Sequence, residues 1–188
     1  MSVRIITGIL KGREVFLPKG SRFRPSTHYL REMLFSIIGP GKINDAVFLD
    51  VFAGSGVVGI EAISRGARKV IFLEKSHKCV ESIRSNLVRF EVEDRGTVLK
   101  MDATRELPAI GRALDYHEVV DIVFIDPPFS APLEIPLLAT VTRNRNLFAP
   151  DCRFFLETRL EPGGLPDELI VADQRKTSSS VLTTLEFG

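Results

Sequence analysis

Cysteine is scarce in this sequence, and no long apolar run interrupts it. Two cysteines, Cys79 and Cys152, occur among 188 residues, in unrelated contexts. That excludes a disulfide framework and a thiolate zinc site; it predicts two small buried thiols in a reducing cytoplasm, and no metal. No apolar stretch reaches the roughly 18 residues that a membrane-spanning helix needs, so no membrane association is expected. The opening segment, 1–16, alternates like a strand. It lacks the apolar core and small-residue cleavage site of a secretory signal. Internal repeats and low-complexity segments are missing as well. Net charge is nearly absent too, at +1, but it is unevenly spread. Residues 1–31 carry seven basic side chains against the single acid Glu14, giving that segment +6 and the remainder −5. A basic arm on a mildly acidic body points to a polyanionic partner, with a solvated hairpin as the plain alternative.

A hydrophobic content of 44% suits one compact domain with a full core. Two short strand-like runs, 3–8 and 13–17, predict an N-terminal hairpin. Apolar spacing at i, i+3 and i+4 then predicts a helix over 26–38, capped by Ser26 or Thr27 and stopped by "GPGK" at 39–42. From residue 46 the chain alternates. Buried strand patterns occur at 46–52, 69–74, 96–102, 119–126 and 152–158. Helical patterns occupy 56–66, 76–90 and 132–144, the last with Pro136 near its start. Such alternation predicts a mostly parallel sheet covered by helices on both faces. Segments 167–176 and 179–187 read as two closing strands.

After the strand "VFLD" comes "VFAGSGVVG". Gly54, Gly56 and Gly59 satisfy G-x-G-x-x-G between a strand and a helix, where glycine lets the backbone turn tightly and approach a ligand. Glu74, twenty residues beyond Gly54, ends the next strand and can accept both hydroxyls of a ribose. The pattern signifies a nucleoside-bearing cofactor. Asp50 favours S-adenosylmethionine over a dinucleotide. A carboxylate at this turn repels a pyrophosphate and attracts a sulfonium and an ammonium group. Asp102, ending the third strand, is placed to accept from an adenine amine. The candidate donor site is therefore Asp50, the turn Ala53, Gly54, Ser55 and Gly56, Glu74 and Asp102.

The fourth strand runs into "DPPF". An exocyclic base amine is a poor nucleophile because its lone pair is delocalised into the ring. Asp126, with the Pro127 carbonyl, can accept its N–H bonds and turn the lone pair toward a methyl group. Pro127 and Pro128 hold these acceptors rigid, and Phe129 offers a face for a flipped base.

The segments 24–38, 50–67 and 121–129, with the N-terminal 4–18, together resemble the bacterial 16S ribosomal RNA guanine-N2 methyltransferase family, over nearly the whole chain. The resemblance implies a class I S-adenosylmethionine-dependent methyltransferase fold, Rossmann-like, over 24–188. It implies a seven-stranded, mostly parallel sheet with its last strand antiparallel, preceded by a basic hairpin at 1–23. It implies methyl transfer to the N2 amine of one guanine in a 16S RNA hairpin loop. The substrate would be the 30S subunit or a late assembly intermediate. Lys11, Arg13, Arg22, Arg24 and Arg31 are then the candidate RNA contacts. Where the family has a threonine and a charged pair after R-P, this chain has Ser26, His28 and Tyr29. The alternatives are an amino-methyltransferase for another RNA or DNA base such as adenine, a non-catalytic RNA-binding assembly factor, and a dehydrogenase.

Overall fold

A computed structural model describes residues 2–18, 27–128 and 132–188. The expectations for Arg22, Arg24 and Phe129 concern residues outside these segments. Strands β1 (Ser2–Arg4) and β2 (Glu14–Phe16) pair antiparallel, with Ser2 opposite Phe16. Helix α1 (His28–Ile38) starts where Thr27 accepts the Leu30 N–H on its hydroxyl, satisfying one of the orphan donors of the first turn. It stops at Gly39, whose φ of 76° few other residues adopt readily. The expected stop is itself one helical turn, α2 (Pro40–Ile43), because proline at the first position loses no needed N–H.

The remaining strands are β3 (Val47–Val51), β4 (Lys69–Glu74), β5 (Gly96–Lys100), β6 (Val120–Ile125), β7 (Phe148–Thr158), β8 (Leu169–Lys176) and β9 (Val181–Phe187). They form one seven-stranded sheet in the order β5-β4-β3-β6-β7-β9-β8. Strands β3 to β7 run parallel, and β9 is antiparallel to both neighbours, as the resemblance implied. Helices α3 (Val57–Ser64), α4 (His77–Phe90) and α6 (Glu134–Arg143) fall where periodicity predicts them. Pro136 is the third residue of α6, where the missing N–H would have had no intrahelical partner. The short α5 (Ala103–Glu106) and a 3-10 turn at Leu107–Arg112 give no such sequence signal, because four residues are too few to show a period.

The sheet's two faces follow the period-two rule. Phe48, Phe72, Phe124 and Phe155 pack with α1, α3 and α4. Val47, Leu49, Ile71, Val123 and Phe154 pack with α5, the 3-10 turn and α6 on the other side. Ile5, Leu10 and Val15 of the hairpin join the first cluster, so the N-terminal segment is part of that core. Both cysteines are free and buried. Among the described residues no helix is long and apolar enough to cross a membrane.

The hairpin is fastened by polar groups from the helices. Glu61 of α3, wholly buried, accepts from the Ile6 and Thr7 amides at 2.8 and 3.0 Å and from Arg65 Nε at 2.9 Å. Asn86 of α4 accepts from the Phe16 N–H at 3.0 Å and donates to its carbonyl at 2.9 Å. Arg31 belongs to this fastening. It is 1% exposed, donates to the Arg4 carbonyl at 3.2 Å and lies 3.9 Å from Glu61. Burial removes Arg31 from the candidate RNA contacts. Desolvation pulls its pKa down, with Glu61 opposing. The helical spacing that puts position 31 beside Leu30 and Leu34 on the core side of α1 overrides the expectation drawn from charge alone.

Candidate active site

The carboxyl ends of the parallel strands open into a crevice of about 1230 Å³. Asp50, Ala53, Gly54, Ser55, Glu74, Asp102, Asp126, Pro127 and Pro128 all line it. Gly56 lies just behind, inside the turn. Strand ends with their following loops bring these residues together from four separate stretches of chain.

The turn after β3 has an unusual backbone. Phe52, Gly54 and Gly56 have φ of 61°, 53° and 73°. The turn is closed by the Ala53 N–H to the Leu73 carbonyl at 3.0 Å and the Gly56 N–H to the Ala53 carbonyl at 2.7 Å. A Cβ on Gly56 would stand 2.8 Å from Ile83 of α4, and one on Gly59 would stand 2.2 Å from the Phe72 ring. The second and third glycines thus serve close packing, while Gly54 faces the crevice.

The acids are tied to this turn. Asp50, 2% exposed, accepts from the Gly59 N–H at 2.9 Å and so caps the start of α3, whose N-cap Gly56 has no side chain to do so. Burial pushes the Asp50 pKa well up, and Asp126 and Glu74 push it further, while the Gly59 bond opposes them. A cation in the crevice would reverse that balance. Glu74 accepts from Gly54 N at 2.9 Å and from Ser76 N at 2.7 Å, which aims its carboxylate across the turn. Each oxygen retains a lone pair for a hydroxyl. Asp102 caps α5 through Thr104 N at 3.1 Å and Thr104 Oγ1 at 2.6 Å. The Thr104 side-chain bond holds its carboxyl below the usual range.

A fifth acid escapes the sequence reading. Glu157, at the end of β7, lines the same crevice. The register pairs Asp50 with Phe72 and Phe124, and Phe124 with Phe155. Asp50, Glu74, Asp126 and Glu157 each follow a core phenylalanine by two residues, so all four share one face of the sheet. The signal is visible in the sequence as "FLD" at 48–50, "FLE" at 72–74, "FID" at 124–126 and "FLE" at 155–157. The signal is weak because Arg159, Leu160 and Glu161 follow β7, with no glycine or proline directly after it to mark its end.

The expected cations divide differently. Arg13 donates to the Arg89 carbonyl at 2.7 Å and stacks 4.7 Å over the Phe90 ring, at the far end of α4 from the crevice. That helix has 14 residues, so the separation is about 20 Å. Lys11 sits in the same loop, beside the amides of Ile9 and Leu10 that bond Ser64 at the foot of α3. Neither of these candidate RNA contacts lines the crevice. Among the described residues, the cations lining the crevice are Lys75, Lys78, Arg159 and Lys176, with Thr27, Tyr29 and the loop Thr177–Ser180. His28 points to solvent and pairs with Glu32 at 3.3 Å, a surface role.

Similarity to known proteins agrees with this geometry. The family model described as conserved hypothetical protein 95 matches residues 3–186. The chain is 32% identical over 164 residues to ribosomal RNA small subunit methyltransferase D of Escherichia coli, covering 87% of this chain and 78% of that protein. It is 29% identical to the protein of the same name from Haemophilus influenzae, over 95% and 90% of the two chains. The solved structure of yhhF from Escherichia coli superposes with a TM-score of 0.82 at 26% identity, over 100% of this chain and 98% of that one. Family match, identity and fold together make this chain a methyltransferase of the ribosomal RNA small subunit methyltransferase D family.

Proposed function

We propose that the protein transfers the methyl group of S-adenosylmethionine to the exocyclic N2 amine of a guanine in a 16S RNA hairpin loop. Its substrate is the 30S subunit or a late assembly intermediate in the cytoplasm. The observation carrying this is the row of acids on one face of the sheet, with Asp126 in the middle and followed by two prolines.

The residues present fit the donor. The φ values of Gly54 and Gly56 make a cradle beside the start of α3. Buried Asp50 favours a positive neighbour, Glu74 suits ribose hydroxyls, and Asp102 suits an adenine amine. When bound, S-adenosylmethionine supplies an electrophilic methyl carbon on a positively charged sulfur. The chain's own part is positional. Asp126 and the Pro127 carbonyl accept the amine N–H bonds, which localises the nitrogen lone pair and points it along the crevice. Held so by Asp126 and Pro127, the amine nitrogen would take the methyl carbon, with the electron pair of the broken S–C bond leaving on the thioether. The methylated nitrogen, now cationic, is strongly acidic and gives its proton to Asp126 or to water. Pro127 is buried, so the acceptor carbonyl needs little ordering when the base arrives. Lys75, Lys78, Arg159 and Lys176 supply positive charge for the RNA backbone at the mouth.

The test is methyl transfer, side by side, to undermethylated 30S particles, naked 16S RNA and DNA. Transfer to guanine N2 in the particle is expected. Asp126→Ala should bind the donor nearly as wild type does while single-turnover transfer falls by roughly 10²- to 10⁴-fold. Methylation of adenine, or full activity in Asp126→Ala, would overturn the proposal.

A further inference from the structure

We infer that Glu157 identifies the base as guanine, its carboxylate accepting the N1–H while Asp126 and the Pro127 carbonyl hold the N2 amine. This rests on the function proposed above and extends it from the methylated atom to the choice of base.

Strands β6 and β7 are parallel neighbours, and their register pairs Ile125 with Leu156. One residue further sets Glu157 beside Asp126, about 4.8 Å away across the sheet. Both side chains leave the same face, both line the crevice, and Glu157 is 9% exposed. Guanine presents N1–H and the N2 amine as adjacent donors, from two nitrogens joined through one carbon. Two acceptors on adjacent strand ends match that pair. Adenine carries a bare N1 next to its amine. Opposite a carboxylate, that lone pair meets another lone pair and is repelled. A site made to pair with a donor rejects an analogue lacking it far more strongly than an apolar pocket does. The crevice is accordingly divided. Asp50 and Glu74, on β3 and β4, face the donor, and Glu157, on the other flank of Asp126, faces the base.

The experiment uses 16S RNA carrying either guanine or 2-aminopurine at the methylated position, joined by splinted ligation and reassembled into particles. 2-Aminopurine keeps the exocyclic amine and has a bare N1. Wild-type protein should methylate guanine on the order of 10- to 100-fold faster in single turnover. Glu157→Gln can turn its amide to donate to the bare N1. It should therefore slow on guanine, hold or gain on 2-aminopurine, and narrow the ratio by about tenfold or more. S-adenosylmethionine affinity by calorimetry should stay unchanged, which separates this effect from loss of the fold. Equal rates of wild-type protein on the two bases overturn the inference whether or not any variant folds. So does a guanine preference that Glu157→Gln leaves intact. Wild-type protein that methylates no guanine overturns the parent function instead, and this inference with it.

Discussion

Adding one methyl group at Gly59 should damage both the fold and the donor site. An ideal Cβ there lies 2.2 Å from Phe72 Cε1, 2.8 Å from Cζ and 2.9 Å from Val70 Cγ1. Carbon atoms rest comfortably at about 3.5–4.0 Å, so something must give by more than about 1 Å. The Phe72 ring is wholly buried on β4, flanked by β3 and β5, and has no free space to enter. Helix α3 must therefore lift away from the sheet. Overpacking of this kind costs about 1–3 kcal/mol, and an aromatic ring held between strands puts the cost in the upper half. At about 2–4 °C per kcal/mol for a chain of this size, Gly59→Ala should melt about 4–12 °C lower. The lift also stretches the 2.9 Å bond from Gly59 to Asp50 and loosens the turn that carries Gly54. S-adenosylmethionine affinity should then fall about tenfold, as expected for losing one charge-assisted hydrogen bond. Gly41→Ala is the control. Nothing lies within 4 Å of its added carbon, and alanine in α2 should stabilise by about 0.4–1 kcal/mol. Thermal unfolding by circular dichroism and calorimetric titration of the donor read both effects. A Gly59→Ala protein within about 1 °C of wild type, with unchanged donor affinity, would refute the packing account.

Three further outcomes are expected. Burial raises the folded-state pKa of Asp50 above its unfolded value, so the stability it contributes is fully present below the unfolded carboxylate pKa and is lost as pH rises through the folded one. Asp50→Asn should therefore gain stability relative to wild type as pH rises above the unfolded carboxylate range, while binding the donor about tenfold more weakly; parallel melting curves at every pH would contradict this. Arg31→Met should cost no more than about 2 kcal/mol in urea unfolding, because its ion pair is long and two of its buried nitrogens make no hydrogen bond among the described residues. The salt dependence of RNA binding should not change, and a slope reduced by about 0.7, one phosphate's worth, would return Arg31 to the RNA interface. Replacing Arg159 and Lys176 together by alanine should shallow that slope by about 1.4 and slow transfer, whereas replacing Lys11 and Arg13 should leave the rate at saturating RNA unchanged; filter binding and single turnover across a salt series decide between them.

The order of strands and helices was legible in the sequence, because it depends on local periodicity. Runs such as "KVIFLE" bury both faces, and 76–90 buries one stripe, whatever lies around them. The crevice acids Asp50, Glu74 and Asp126 were legible for a related reason: in a parallel sheet every strand end faces the same way, so a carboxylate closing a strand has one direction to point. Glu157 obeyed that rule too, and the recurring phenylalanine two residues before each acid would have revealed it. The cations were not legible. Net charge over residues 1–31 says nothing of where each side chain goes, and the fold sent three basic residues to two separate places. Arg31 went into the core, held by Arg4 and Glu61, and Arg13 went to the foot of α4, with Lys11 in the same loop. Lys75, Lys78, Arg159 and Lys176, scattered over a hundred residues, meet at the mouth only because β4, α4, β7 and β8 bring them there. Local pattern determined the elements and the acids they carry; which charges share a surface was decided by packing, since it depends on contacts between segments far apart in the chain.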